Sequence, residues 1–165
     1  MSKQLLLMRH AKSSWKEPGL SDHDRPLNGR GKRDALRAGE ELVARSVVPD
    51  LIITSTAKRA RKTAQRLATT AEFLGDIWET RSIYLASVNE YAMAAAESPD
   101  EVQTLLMIGH NPTTAAWLAA LTGAAHHVPT ATIASITLEL ADWSELSRMT
   151  RGSLEWLRYP KLVAE

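Results

Sequence analysis

Leu5-Leu6-Leu7-Met8-Arg9-His10 is a short apolar run that ends abruptly on an arginine and a histidine. Residues 4–9 are apolar enough for a buried strand, and the stretch from Lys12 to Gly29, rich in Ser, Asp, Pro and Gly, reads as a long loop. The same kind of change recurs downstream. From Gly31 to Arg45 the residues Ala35, Leu36, Ala38, Leu42 and Val43 return at helical spacing among Arg, Lys and Glu, which predicts an amphipathic helix. Leu51-Ile52-Ile53-Thr54, bounded by Pro49-Asp50 and Ser55-Thr56, predicts a second buried strand, and a helix follows from about Lys58 to Phe73. Residues 77–80 and 104–109 read as further strands. Residues 87–97 and 112–122 read as helices, the latter closed by Gly123. Alternation through Thr130, Thr132, Ile133, Ser135, Ile136, Leu138 and Leu140, and the segment 153–159, predict two more strands at a sheet edge.

Strands separated by helical segments imply right-handed βαβ units. The expected fold is a three-layer α/β sandwich, a mostly parallel central sheet with helices on both faces. A chain of 165 residues fits one domain spanning 1–165. In such sheets ligands sit beyond the carboxyl ends of the strands, so the residues just after each apolar run are the ones to read for chemistry.

Composition removes several classes of function. The chain has no cysteine, which excludes a cysteine phosphatase, an Fe–S cluster and every Cys-based zinc site, and favours a cytosolic setting. Lys plus Arg is 20 against 19 for Asp plus Glu, so there is no global field to draw nucleic acid or an acidic membrane, and anion recognition has to be local. The apolar runs are too short for a membrane span. The expected protein is soluble and cytoplasmic, with no membrane or nucleic-acid partner.

Arg9, His10 and Lys12 follow the first strand, Ser55, Lys58 and Arg59 the second, and His110 and Asn111 the fourth. Guanidinium groups grip phosphate through paired N–H donors, and a neutral imidazole among them can attack phosphorus while the cations disperse the charge. The constellation predicts a phosphoryl-transfer site. Each residue has a plainer reading as well. A lone histidine is usually a core or surface residue, Lys58-Arg59-Ala60-Arg61-Lys62 would ordinarily be a solvated helix face, and His110 could be no more than a neighbour of an Asn111 N-cap with Pro112 at the first helical position. A metal site is not expected, because no carboxylate or third histidine stands at ligand spacing and His126-His127 is an adjacent loop pair. Nor is there a P-loop of the GxxxxGK[ST] type. Helix 58–66 is basic enough to consider nucleic acid, but it lacks aromatics, and Glu40, Glu41, Glu72 and Asp76 offset its charge nearby in sequence.

Four motifs in order resemble one known family. Leu5-Leu6-Leu7-Met8-Arg9-His10-Ala11-Lys12-Ser13 is similar to the Arg-His-Gly signature of the histidine phosphatase superfamily. Ser21-Asp22-His23-Asp24-Arg25-Pro26-Leu27-Asn28 with Gly31, Ser55-Thr56-Ala57-Lys58-Arg59-Ala60-Arg61-Lys62-Thr63-Ala64, and Ile108-Gly109-His110-Asn111-Pro112 resemble its phosphohistidine phosphatase branch, SixA. The resemblance covers roughly residues 3–122 and implies a phosphoglycerate mutase-like fold and a phosphatase without cofactor or metal. By it, His10 is the nucleophile that becomes phosphorylated, Arg9 and Arg59 clamp the phosphoryl oxygens, and His110 completes the pocket. Arg25, with Lys12, Ser55 and Asn111, is expected on the substrate side. The implied substrate is a phosphorylated protein carrying phosphohistidine, with a small phosphate ester or a non-catalytic phosphate-binding role as alternatives.

Two departures carry information. Ala11 replaces the glycine of the signature, which requires a backbone with negative φ there. Larger members of the superfamily place a glutamate general acid after the third strand, where this chain has Ile83-Tyr84-Leu85-Ala86. Asp22, Asp24 and Glu90 are the candidates to replace it, and spacing leaves them undecided. The short chain leaves little room for a cap, so the site should be open.

Overall fold

The computed structural model describes residues 1–161. Six strands form one sheet in the order β3-β2-β4-β1-β5-β6, with β1 at Lys3–Arg9, β2 at Leu51–Ser55, β3 at Asp76–Thr80, β4 at Thr104–Gly109, β5 at Ile133–Leu138 and β6 at Ser153–Arg158. The first four are mutually parallel, while β5 runs antiparallel to β1 and β6 antiparallel to β5. The expected three-layer sandwich is therefore present. Of the two terminal strands only β6 lies at an edge, because β5 is covered on both sides.

Side-chain alternation along β1 divides the core. Leu5 and Leu7 pack with Leu105, Met107, Trp117, Leu118 and Tyr91 on one face of the sheet. Leu6 and Met8 pack with Ile52, Leu106, Ala35, Ala38, Ala60 and Leu67 on the other. A strand apolar at successive positions is what a sheet buried on both faces requires. Helices α1 (Gly29–Ala44) and α2 (Lys58–Thr70) cover the second face, and α3 (Val88–Ala96) and α4 (Thr113–Thr122) the first.

Local chemistry sets the helix ends. The Asn28 side chain accepts the Gly31 N–H at the start of α1, and Ser87 and Glu90 form a reciprocal capping box on α3. Gly123, at φ 79°, ends α4. Helix α2 stops at Thr70, three residues short of the sequence expectation, and Glu72 turns the chain with φ 54°. The N-cap of α4 is Pro112, not Asn111. The Asn111–Pro112 peptide bond is cis, and Asn111 reaches forward to accept the Ala115 N–H at 3.3 Å. Among the described residues no helix is long and apolar enough to cross a membrane.

The topology leaves a crevice at one place. β1 and β4 are adjacent and parallel, yet β1 leads to α1 on one face and β4 to α4 on the other. Their carboxyl ends diverge there, and a ligand site is expected in the gap.

Candidate active site

His10 leaves the end of β1 with its main chain fixed on both sides. Its N–H donates to the Gly109 carbonyl at 3.0 Å, and its carbonyl accepts the Ala131 N–H at 3.0 Å. The side chain is 94% shielded from solvent, with Nδ1 2.7 Å from the Ala11 carbonyl. A carbonyl only accepts, so Nδ1 carries the proton and Nε2 keeps its lone pair. The Arg59 Nε–H points at that lone pair from 3.4 Å. Burial holds the His10 pKa down to about 3, with the charges of Arg59 and Arg9 acting in the same direction. The ring is thus uncharged at every physiological pH, with the Nε2 lone pair available.

Ala11 is not among the residues with positive φ, in line with the backbone expected from its substitution for glycine. Its N–H donates to Thr63 Oγ1, which donates in turn to the Arg59 carbonyl at 2.7 Å, so the turn after β1 is fastened to the first turns of α2. Gly31 serves the same turn by close approach. A Cβ there would stand 2.0 Å from the Lys12 carbonyl oxygen.

His110 comes from the end of β4, with its ring 5.1 Å from that of His10. Nε2 lies 2.8 Å from Ser55 Oγ, and Nδ1 faces Arg59 Nη2 at 3.4 Å. A guanidinium can only donate, so Nδ1 is the acceptor and Nε2–H donates to Ser55. Burial, aided by the Arg59 charge, lowers the His110 pKa to about 4. Beneath it the Tyr91 hydroxyl accepts the His110 N–H at 2.9 Å. That hydroxyl would lie 2.4 Å from a Cβ at position 109, which is why glycine precedes the histidine.

Arg59 is the hub. Besides facing both histidines, its Nη1 donates to the Asp22 carbonyl at 2.7 Å and its Nη2 to Asp22 Oδ2 at 3.1 Å. Arg25 donates to Asp22 Oδ1 at 3.1 Å and to Ser13 Oγ, and its guanidinium carbon sits 3.3 Å from the ring centroid of Trp15. Tyr84 donates its hydroxyl to Asp22 Oδ2 at 2.6 Å, and this bond, with Arg59 and Arg25, holds the Asp22 carboxyl below its ordinary range. Arg9 donates Nη1 to the Val128 carbonyl at 3.2 Å, and the Nε atoms of Arg9 and Arg25 are buried without a partner among the described residues.

These groups enclose a cavity of about 210 Å³ lined by Arg9, His10, Lys12, Ser13 and Trp15, and by Arg25, Arg59, His110, Asn111 and Thr130. The cavity has cations on several sides, which suits a tetrahedral oxyanion. Seven of the nine residues singled out from sequence for this site line it, and Lys58 lies outside it. Ser55 does not line it either: it is fully buried below the floor, where its hydroxyl receives the Ala57 N–H and holds His110. Asn111 lines the wall, but its amide donates to the Val128 carbonyl at 2.9 Å. Of the three acid candidates, Asp22 reaches the site, Asp24 lies beside His23, and Glu90 is held in its capping box. The sequence reading does not single out Ser13, Trp15, Tyr84, Tyr91 or Thr130. Trp15 alone carries a signal that could have flagged it, as an aromatic in an otherwise polar loop.

Residues 5–81 match the histidine phosphatase superfamily (branch 1). A SixA structure from Agrobacterium tumefaciens superimposes with a TM-score of 0.82 at 30% identity, covering 96% of this chain and 98% of that one. The chain belongs to the histidine phosphatase superfamily. Within that superfamily it falls in the SixA-like branch, since this likeness runs over almost the whole of both chains. A Mycobacterium tuberculosis protein of uncharacterised function is 42% identical over 109 residues, which are 66% of this chain and 66% of that protein. A 2,3-bisphosphoglycerate-dependent phosphoglycerate mutase from an Arthrobacter species is 37% identical over 111 residues, 66% of this chain and 43% of the mutase. The chain thus spans just under two thirds of the mycobacterial relative and less than half of the mutase, while matching the SixA structure over nearly its whole length.

Proposed function

We propose that this protein hydrolyses protein phosphohistidine through a phosphoenzyme formed on His10. His10 Nε2 attacks phosphorus, the bond to the leaving group breaks, and a P–Nε2 bond forms. Water then attacks the phosphoenzyme, the P–Nε2 bond breaks, and inorganic phosphate leaves with His10 restored. Arg9, Arg25 and Arg59 supply the positive charge that the three equatorial oxygens need in the transition state. A dianion in the cavity also raises the His110 pKa, so that Nδ1 can take a proton and donate to a phosphoryl oxygen. Ser55 acts by positioning that ring.

The observation that carries the substrate choice is Asp22. It is the acid candidate that reaches the site, and it stands there as a carboxylate bonded to Tyr84, Arg59 and Arg25. A carboxylate tied in this way does not supply a proton to a departing alkoxide. Phosphohistidine needs none from the enzyme, because its imidazole is protonated on the free nitrogen before the P–N bond breaks and leaves as neutral imidazole. General-acid help contributes roughly 10²–10⁴-fold where the leaving group is poor, and that factor is what an alkyl ester forfeits here.

The test compares kcat/KM for a phosphohistidine peptide, p-nitrophenyl phosphate and a phosphoserine peptide. Turnover of the first two with a deficit of at least a hundredfold on the third supports the reading, and equal rates on all three overturn it. The likeness to a mutase favours a second reading, hydrolysis of a small phosphomonoester, which the same assay detects as a preference for p-nitrophenyl phosphate over the peptide. His10→Ala should abolish turnover and phosphoenzyme formation with the fold intact. No phosphate release from any of the three substrates would leave a phosphate-binding regulator as the surviving alternative.

A further inference from the structure

A second concavity, of about 230 Å³, is lined by Pro26, Leu27, Lys32, Lys58, Lys62 and Arg66. It shares a wall with the catalytic cavity. Leu27 pairs with Ser13 in an isolated antiparallel bridge, and Ser13 faces the cavity while Leu27 faces the cleft. Pro26 follows Arg25, and Lys58 precedes Arg59.

The charge of this cleft is uncompensated. Arg30 and Arg37 are paired with Asp34, Arg45 and Arg158 with Glu41, and Arg61 with Glu79. Among the described residues no carboxylate pairs with Lys32, Lys58, Lys62 or Arg66, so the acids expected from sequence to offset this helix do not reach its cationic face. The arrangement works against the helix itself. Lys58, Lys62 and Arg66 recur at intervals of four, so they are stacked like charges, and α2 carries no acid in its first turn, where the helix dipole disfavours cations. A face that destabilises its own helix and adjoins the catalytic pocket is explained by an anionic occupant.

We infer that this cleft binds an acidic segment of the phosphoprotein substrate, Asp and Glu side chains flanking the residue whose phosphoryl group enters the cavity. The inference rests on the protein-phosphohistidine reading. Pro26 and Leu27 give the segment an apolar wall, and no aromatic lines the cleft for the base stacking that single-stranded nucleic acid uses.

The test uses two phosphohistidine peptides, flanked by four glutamates or by four serines, with p-nitrophenyl phosphate as the reference, on the wild type and on Lys32→Gln/Lys62→Gln/Arg66→Gln. At low salt the wild type should prefer the glutamate peptide about tenfold in kcat/KM, with a steeper loss on adding salt than for the serine peptide. In the triple variant the preference should fall within about twofold, while p-nitrophenyl phosphate turnover and thermal stability are unchanged or raised. Equal kcat/KM for both peptides in the wild type, or an equal loss on all three substrates in the variant, overturns the inference. If neither peptide is turned over, the phosphohistidine reading fails by itself. The cleft is then judged by fluorescence anisotropy with labelled octaglutamate: binding that the triple variant loses supports it, and no binding to the wild type overturns it. Tighter binding of an eight-nucleotide oligouridylate overturns the assignment to an acidic peptide.

Discussion

Lowering the pH from 7.5 to 5 should destabilise the folded protein through the two buried histidines of the candidate site, His10 and His110. In an unfolded chain a histidine titrates near 6.5, whereas burial holds His10 at about 3 and His110 at about 4. The folded pKa lies below the unfolded one, so as the pH falls the unfolded state takes up the proton first. The stability contributed is present above about pH 6.5 and is lost as the pH drops from there toward the folded value. At pH 5 the interval below 6.5 is about 1.5 units at 1.36 kcal/mol each, so His10 accounts for about 2 kcal/mol and His110 for a similar amount. Asp22 does not contribute in this window, because its lowered pKa acts only below its ordinary 3.8. The assay is urea unfolding at both pH values for the wild type and His10→Asn. With an m-value of about 2 kcal/mol/M, the wild type should lose about 1 M more in midpoint than the variant. Parallel losses in the two proteins would show that His10 is protonated in the folded state at pH 5, and the account of a buried neutral nucleophile would fail.

Other outcomes follow from the same geometry. Arg9→Ala and Arg59→Ala should each lower kcat/KM by roughly 10²–10³, and Arg59→Lys should not restore it, because an ammonium cannot reproduce the planar fork that contacts both histidines and Asp22; a near-wild-type rate in either alanine variant removes that residue from the clamp. Vanadate should inhibit competitively, and activity should survive EDTA; a loss in EDTA that a divalent ion restores would contradict catalysis by side-chain cations alone. Ser55→Ala should lower kcat roughly tenfold with KM nearly unchanged, and it should alter the His110 tautomer seen by ¹⁵N NMR. An unaltered tautomer would show that Ser55 does not hold the ring. Trp15→Ala removes an exposed stacking partner worth about 0.5–1 kcal/mol to Arg25, and so should raise KM for p-nitrophenyl phosphate two- to fivefold with kcat unchanged.

The sequence by itself determined the alternation of strand and helix, since apolar period and punctuation by Gly, Pro and Asn act over a few residues and need no partner. It also placed Arg9, His10 and His110 at strand ends, and Arg59 just after one, where a doubly covered sheet binds its ligands. Only the tertiary structure decided what those residues do to one another. The tautomer of His10 depends on the Ala11 carbonyl and its neutrality on burial, and burial is a property of the packed core. Ser55 reads as a substrate contact from its place after β2, yet it lies under His110 because β2 and β4 are neighbours in the sheet, a fact set by contacts across more than fifty residues. Asp22, Asp24 and Glu90 are equivalent by composition. They separate in space because one helix takes Glu90 for its cap, while the loop carrying Asp22 folds onto Arg59 and Tyr84, residues thirty-seven and sixty-two positions away. The cationic cleft was hidden for the same reason. Acids close to α2 in sequence suggested compensation, and compensation is decided by distance in the folded chain.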